Sequence, residues 1–227
     1  MPEMPTTNDK MVALLRRLKI EMNGAVTDAM RAYGGRPSGY GLNYGVSLPT
    51  IREAAAAYAP DSGLAILLWR QDVRELKLAA LFIDDPQTLD ADRMEQWADA
   101  WRGSAELAEQ CAMQLFWRSP AAWTVAVRWA TATGEASDPL RRLAAFFMIG
   151  RLAAPADGSG AVTDADFAAL LADPTAFGTH TEERSAVYAL REMWRRRPAL
   201  RAAVTGVLER LPVGVADEVR WQIEYLP

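Results

Sequence analysis

The 227-residue chain contains one cysteine, Cys111, and one histidine, His180. A lone cysteine excludes an internal disulfide and suits a reducing, cytoplasmic compartment. A lone histidine cannot build a multi-histidine metal centre, and a Ser-His-Asp hydrolase would have to be assembled around that single ring. Neither is expected. No apolar run approaches the roughly 20 residues that span a bilayer, and no basic stretch followed by an apolar one opens the chain, so neither a membrane span nor a signal peptide is expected. Positive charge is not in excess either: 25 Lys and Arg face 29 Asp and Glu, for a formal net charge of −4. A phosphate-gripping surface would have to concentrate its cations locally. Apolar residues, by contrast, make up 50% of the chain, enough for a sizeable core. Residues 1–8, polar and holding two prolines, are expected to be flexible, which leaves 9–227 as a single domain.

Helical periodicity runs through that domain, and turn-punctuated β-alternation is nearly absent. The spacing of Val12, Leu14, Leu15, Leu18 and Met22 predicts a first helix over 9–22, capped by Thr7 or Asn8. A short helix over 26–32 precedes a stretch with Gly34, Gly35, Pro37, Gly39 and Gly41, which reads as a connector because glycine costs helix entropy and proline removes a donor. The next helix starts either at Thr50, with Glu53 at capping-box spacing, or one turn earlier at Ser47 with Pro49 behind it. Further helices are expected at 64–69, 74–83, 90–101, 106–117, 121–132, 140–152, 164–171, 182–195, 198–211 and 215–225. Asp85-Pro86, Ser119-Pro120, Asp138-Pro139, Asp173-Pro174 and Arg197-Pro198 punctuate them, since proline pushes its predecessor out of the α region. Helix pairs recurring every ~35–45 residues match HEAT and armadillo units. The expected architecture is therefore all-α, an α-α superhelix of stacked antiparallel helix pairs with a concave binding face.

Several side chains on this scaffold could carry chemistry. Glu106 and Glu109 lie three apart, so both carboxylates point to one side of a helix, either as a solvated helix start or as groups facing the groove. Arg141 and Arg142 open one helix, and Arg191, Arg195, Arg196, Arg197 and Arg201 cluster against a single acid, Glu192. Such clusters are solvated faces or phosphate contacts. The eight tryptophans read mainly as core filling, with one or two left to stack on a ligand. The glycine-rich stretch has no lysine in Walker spacing and is not a phosphate loop.

The run Tyr44-Gly45-Val46-Ser47-Leu48-Pro49-Thr50-Ile51-Arg52, then Leu68-Trp69 and Arg74-Glu75-Leu76-Lys77-Leu78-Ala79-Ala80, resembles the AlkD-like DNA alkylation repair family of HEAT-like repeat DNA glycosylases. Arg141-Arg142-Leu143-Ala144-Ala145 and Ala189-Leu190-Arg191-Glu192 follow in the expected order, so the resemblance spans about 43–211. Met22-Asn23-Gly24 and Ala108-Glu109-Gln110-Cys111 look most like a divergent branch. The resemblance implies a DNA glycosylase that hydrolyses the N-glycosidic bond of cationic N3- or N7-alkylated purines in duplex DNA, as a monomer, with no metal or cofactor. A carboxylate would stabilise an oxocarbenium-like sugar and position water, and aromatic faces would favour a cationic base. It places Glu109 at the catalytic acid, one methylene longer than the family's aspartate, and Glu106 at the first acid of the family's Trp-Asp-x-x-Asp pattern. Ala105 stands where that pattern has tryptophan. Tyr188 falls at a position that often carries tryptophan, Arg141 or Arg142 at a phosphate-contacting arginine, and Arg191 would contact phosphate too. The alternative is a non-catalytic solenoid that binds nucleic acid or a protein.

Overall fold

The computed structural model describes residues 5–34, 39–154, 162–181 and 184–225. The expectations for residues 1–4, for 35–38 of the glycine-rich connector, for the loop at 155–161 and for the helix start at 182–183 lie outside them. Among the described residues the structure is helical throughout, and the one isolated bridge joins Leu42 to Val73. No helix among them is long and apolar enough to cross a membrane. The chain divides into two compact units, Met1–Ser119 and Pro120–Pro227.

Unit 1 holds α1 (Thr7–Ile20), α2 (Gly24–Gly34), α3 (Leu48–Ala56), α4 (Ser62–Trp69), α5 (Arg74–Ile83), α6 (Ala91–Asp99) and α7 (Ala105–Gln110). Short polar residues start most of these helices. Thr6 and Asp9 close a reciprocal capping box on α1, so the cap is Thr6 and not the expected Thr7 or Asn8. Ser47 caps α3 with Pro49 just inside it, the earlier of the two expected starts. Asp61, Asp90 and Ser104 cap α4, α6 and α7, each such cap contributing about 1 kcal/mol. Helix α5 is the centre of the unit. It packs on α3, α4 and α7, and every residue from Arg74 to Leu81 is buried. Around it Trp69 stacks on Trp97 with centroids 4.5 Å apart, and Trp97 and Trp101 flank Phe116.

The helix expected over 106–117 is broken. After α7 the backbone makes a π turn, Cys111–Leu115, and then a 3-10 turn, Phe116–Arg118. Cys111, Ala112, Leu115 and Phe116 are all fully buried.

Unit 2 holds α8 (Ala122–Thr131), α9 (Pro139–Leu152), α10 (Asp164–Ala172), α11 (Arg184–Arg196), α12 (Arg201–Leu208) and α13 (Val213–Tyr225). Helix α9 lies between α8 and α11, and α11 packs in turn on α13. Asp138 caps α9 with Pro139 at its first position, and Thr163 with Asp166 forms a capping box on α10. The helix expected over 198–211 begins instead as a 3-10 turn, Pro198–Leu200, ahead of α12, and Pro198 separates it from α11 by holding Arg197 out of the α region.

Candidate functional site

In unit 1 the two glutamates of α7 have different surroundings. Glu106 is held. Arg74 donates to its carboxylate through Nε and Nη2, at 2.6–3.1 Å, and the Tyr40 hydroxyl donates to Oε2 at 2.9 Å. Arg74 is itself 7% exposed and also donates to Val46 O and Glu75 Oε1. Glu75 accepts the Tyr44 and Val46 amides, so the network stitches the 40–46 segment onto α5 and α7. Gly39 makes this possible. It lies at φ +73°, and a Cβ there would come within 2.7 Å of Ser104 Cβ. Only glycine lets the chain pass α7 closely enough for Tyr40 to reach Glu106.

Glu109, one turn further along, is half-buried. Among the described residues no donor lies within hydrogen-bonding distance of its carboxylate. Burial, and secondarily the charge of Glu106, raise it above the ordinary carboxylate range. Such a group accepts a proton more readily than a solvated glutamate. Arg52, on α3, covers the Phe82 ring at 5.0 Å and donates to Gln114, which donates to Gln110.

In unit 2 the paired arginines separate. Arg142 is 4% exposed and donates to Ala130 O, Thr175 O and Ala176 O at 2.7–3.1 Å. It ties α8 and α9 to the turn ahead of α11. Arg141 is less buried, lies 3.4 Å from Asp138 and has its guanidinium 5.9 Å from the Trp129 ring centre. Of the two, Arg141 is the side chain within reach of solvent.

Tyr188 and Arg191 are brought together. Both stand on α11, with the Arg191 guanidinium 5.1 Å from the Tyr188 ring centre and Phe147 packed 5.5 Å from that ring. Arg191 is fixed by Glu192 and by Gln222 Oε1 of α13. Glu192 is 2% exposed and also accepts from Arg195 and Arg196. Burial alone would raise this carboxyl, but the hydrogen bonds from Arg196 and Arg195 outweigh it and hold the group below its usual range. Between α11 and α13 lies a recess of about 560 Å³. Arg184, Tyr188 and Arg191 form one wall, and Val215, Glu218 and Gln222 the other.

Arg184, Glu218 and Gln222 are absent from the residues singled out in the sequence. For Arg184 a signal existed, since positions 184, 188 and 191 fall on one helical face. For the α13 residues none did, because only the packing of α13 on α11 places them opposite.

The helical architecture is of the HEAT-like repeat class, as comparison with solved structures shows. The chain is similar to a protein described as belonging to "a new family of proteins related to the HEAT-like repeat DNA glycosylases with affinity for branched DNA structures", with a TM-score of 0.74 and 14% identity, over 94% of this chain and 93% of that one. At that identity the likeness shows the fold. No family model matches the sequence, and no curated protein matches it.

Proposed function

We propose that the chain is a HEAT-like repeat DNA-binding protein that hydrolyses the N-glycosidic bond of cationic N3- or N7-alkylated purines, with Glu109 as the working carboxylate. The observation that carries the catalytic reading is Glu109 itself, a half-buried acid whose carboxylate no cation or donor among the described residues neutralises. A carboxylate left unneutralised and partly out of water is costly, and oxocarbenium stabilisation and water activation are uses for one. Glu106, clasped by Arg74 and Tyr40, acts as a positioning residue that holds the start of α7 and adds negative potential beside Glu109. Arg141 and Arg191 serve as phosphate contacts, Tyr188 as the aromatic wall, and Arg142 as the strut beneath Arg141.

A second reading is a non-catalytic binder of branched DNA. It is favoured by the description of the structural relative and by Ala105 standing where an aromatic would contact a lesion. One assay separates the two. Release of 7-methylguanine or 3-methyladenine from alkylated duplex is expected from the wild type and should fall about 100-fold or more in Glu109→Gln with folding retained. Release unchanged by the substitution removes Glu109 from the mechanism. No release from a wild type that still binds DNA leaves the binding reading in its place.

A further inference from the structure

The recess between α11 and α13 has a composition that contact with duplex backbone does not require. Its ~560 Å³ falls within the about 300–1,000 Å³ in which small-molecule sites lie, so Arg191, besides contacting a duplex phosphate, lines a space of the size of a single nucleotide. Its contents are divided. At one side stand two cations, the exposed Arg184 and the Arg191 guanidinium pinned by Glu192 and Gln222. Opposite them is the first turn of α13, where Gly214 brings bare backbone to the wall and the leading amides of a helix carry partial positive charge. The remainder is the Tyr188 ring, the Val215 side chain, and the carboxylate and amide of Glu218 and Gln222, which are joined by a 2.6 Å hydrogen bond. An anion subsite, an apolar wall and an amide–carboxylate pair side by side match the phosphate, sugar and base edge of one nucleotide.

We infer that this recess binds a single unpaired nucleotide carrying a terminal phosphate, the kind of group that a strand end at a branch or overhang presents and an intact duplex does not. The inference rests on the nucleic-acid reading above but not on base excision. Charge favours a terminal phosphate over an internal one, because a monoester approaching two negative charges meets two arginines and a helix N-terminus. The Tyr188 ring, already covered by Arg191 and Phe147, supplies its edge as an apolar wall and not a free stacking face. Glu218 is linked to Arg191 through Gln222, whose amide accepts from the guanidinium and donates to Glu218 Oε1, which leaves the second Glu218 oxygen to accept from a base amino group.

The full chain is titrated by calorimetry with deoxyadenosine 5′-monophosphate, its 3′-monophosphate, deoxyadenosine and inorganic phosphate. At least one monophosphate should bind 10-fold or more tighter than deoxyadenosine and than phosphate, and the 5′ and 3′ arms tell which end is held. Val215→Trp, which fills the recess from α13, and Arg184→Glu, an exposed charge reversal, should each weaken that binding 10-fold or more. In parallel, a duplex with a phosphorylated single-stranded overhang should outcompete the blunt duplex, and both variants should lose that preference. Monophosphate binding no tighter than inorganic phosphate overturns the inference, as does a preference for the overhang that survives both substitutions. Blunt duplex bound without any monophosphate binding removes the recess and leaves the DNA reading standing. Failure to bind DNA of any form removes that reading, and the strand-end assignment with it.

Discussion

Gly150 tests how Tyr188 is seated. It lies on α9, buried against α11, and a Cβ added there would collide with Cε1 of Tyr188 and come within 2.6 Å of its Cδ1 and 3.3 Å of Ala189 Cα. Gly150→Ala therefore has two opposed effects. Replacing glycine inside a helix contributes up to about 1 kcal/mol through reduced backbone entropy. Forcing a methyl group into occupied space costs about 1–3 kcal/mol. The sum is a destabilisation of up to about 2 kcal/mol, together with displacement of the Tyr188 ring. Tyr188→Ala removes the obstructing atoms, and in that background Gly150→Ala should be neutral or stabilising, by up to about 1 kcal/mol. Four urea unfolding curves, for the wild type, both single variants and the double variant, measure this directly. The coupling energy should be about 1–3 kcal/mol, with Gly150→Ala changing sign between backgrounds. If it costs the same in both, the ring does not occupy the space above Gly150, and the geometry of the recess is wrong.

Glu106→Gln removes the negative charge that contributes to raising Glu109. Since the raised group needs to be ionised to act, the acid limb of the pH–rate profile should move to lower pH in this variant, and a limb that stays in place refutes the coupling. Glu192 is held below its usual range, so its contribution to stability is present above the ordinary glutamate pKa of about 4.3 and is lost as pH falls through the lower folded value. Glu192→Gln should flatten the acid limb of the stability–pH curve, and it should weaken monophosphate binding by releasing Arg191. Arg142→Met leaves the carbonyls of Ala130, Thr175 and Ala176 short of a donor. A loss of about 3 kcal/mol is expected in urea unfolding, whereas Arg141→Ala should cost less than about 1 kcal/mol.

Much of the fold could be read from the chain because its helix signals are local. Asp-Pro and Ser-Pro boundaries, and the periodic Arg74–Ile83 stripe, need no tertiary information, and α5 runs over the predicted residues. The break after Gln110 was not readable. A π turn does not alter composition, and residues 106–117 carry a continuous helical pattern, with buried Cys111, Ala112, Leu115 and Phe116 on one face. The site residues show the same division. Arg141 and Arg142 are adjacent and chemically identical, and only the packing of α8 and α11 around α9 decides which is buried. Glu106 and Glu109 share a helical face, but the partners of Glu106 are Arg74, 32 positions earlier, and Tyr40, whose contact depends on Gly39 allowing its segment to approach α7. Spacing could have pointed to Arg184 beside Tyr188 and Arg191, whereas the α13 wall needed the fold.

The central claim is that this acidic chain grips DNA through a few localised arginines. Anisotropy titrations of a labelled duplex and of a labelled branched junction, repeated from about 50 to 200 mM salt, test it most directly. The logarithm of the binding constant should fall linearly with the logarithm of the salt concentration, and Arg141→Ala and Arg191→Ala should each reduce that slope by about one. No binding at the lowest salt, or binding indifferent to salt and to both substitutions, would contradict the account.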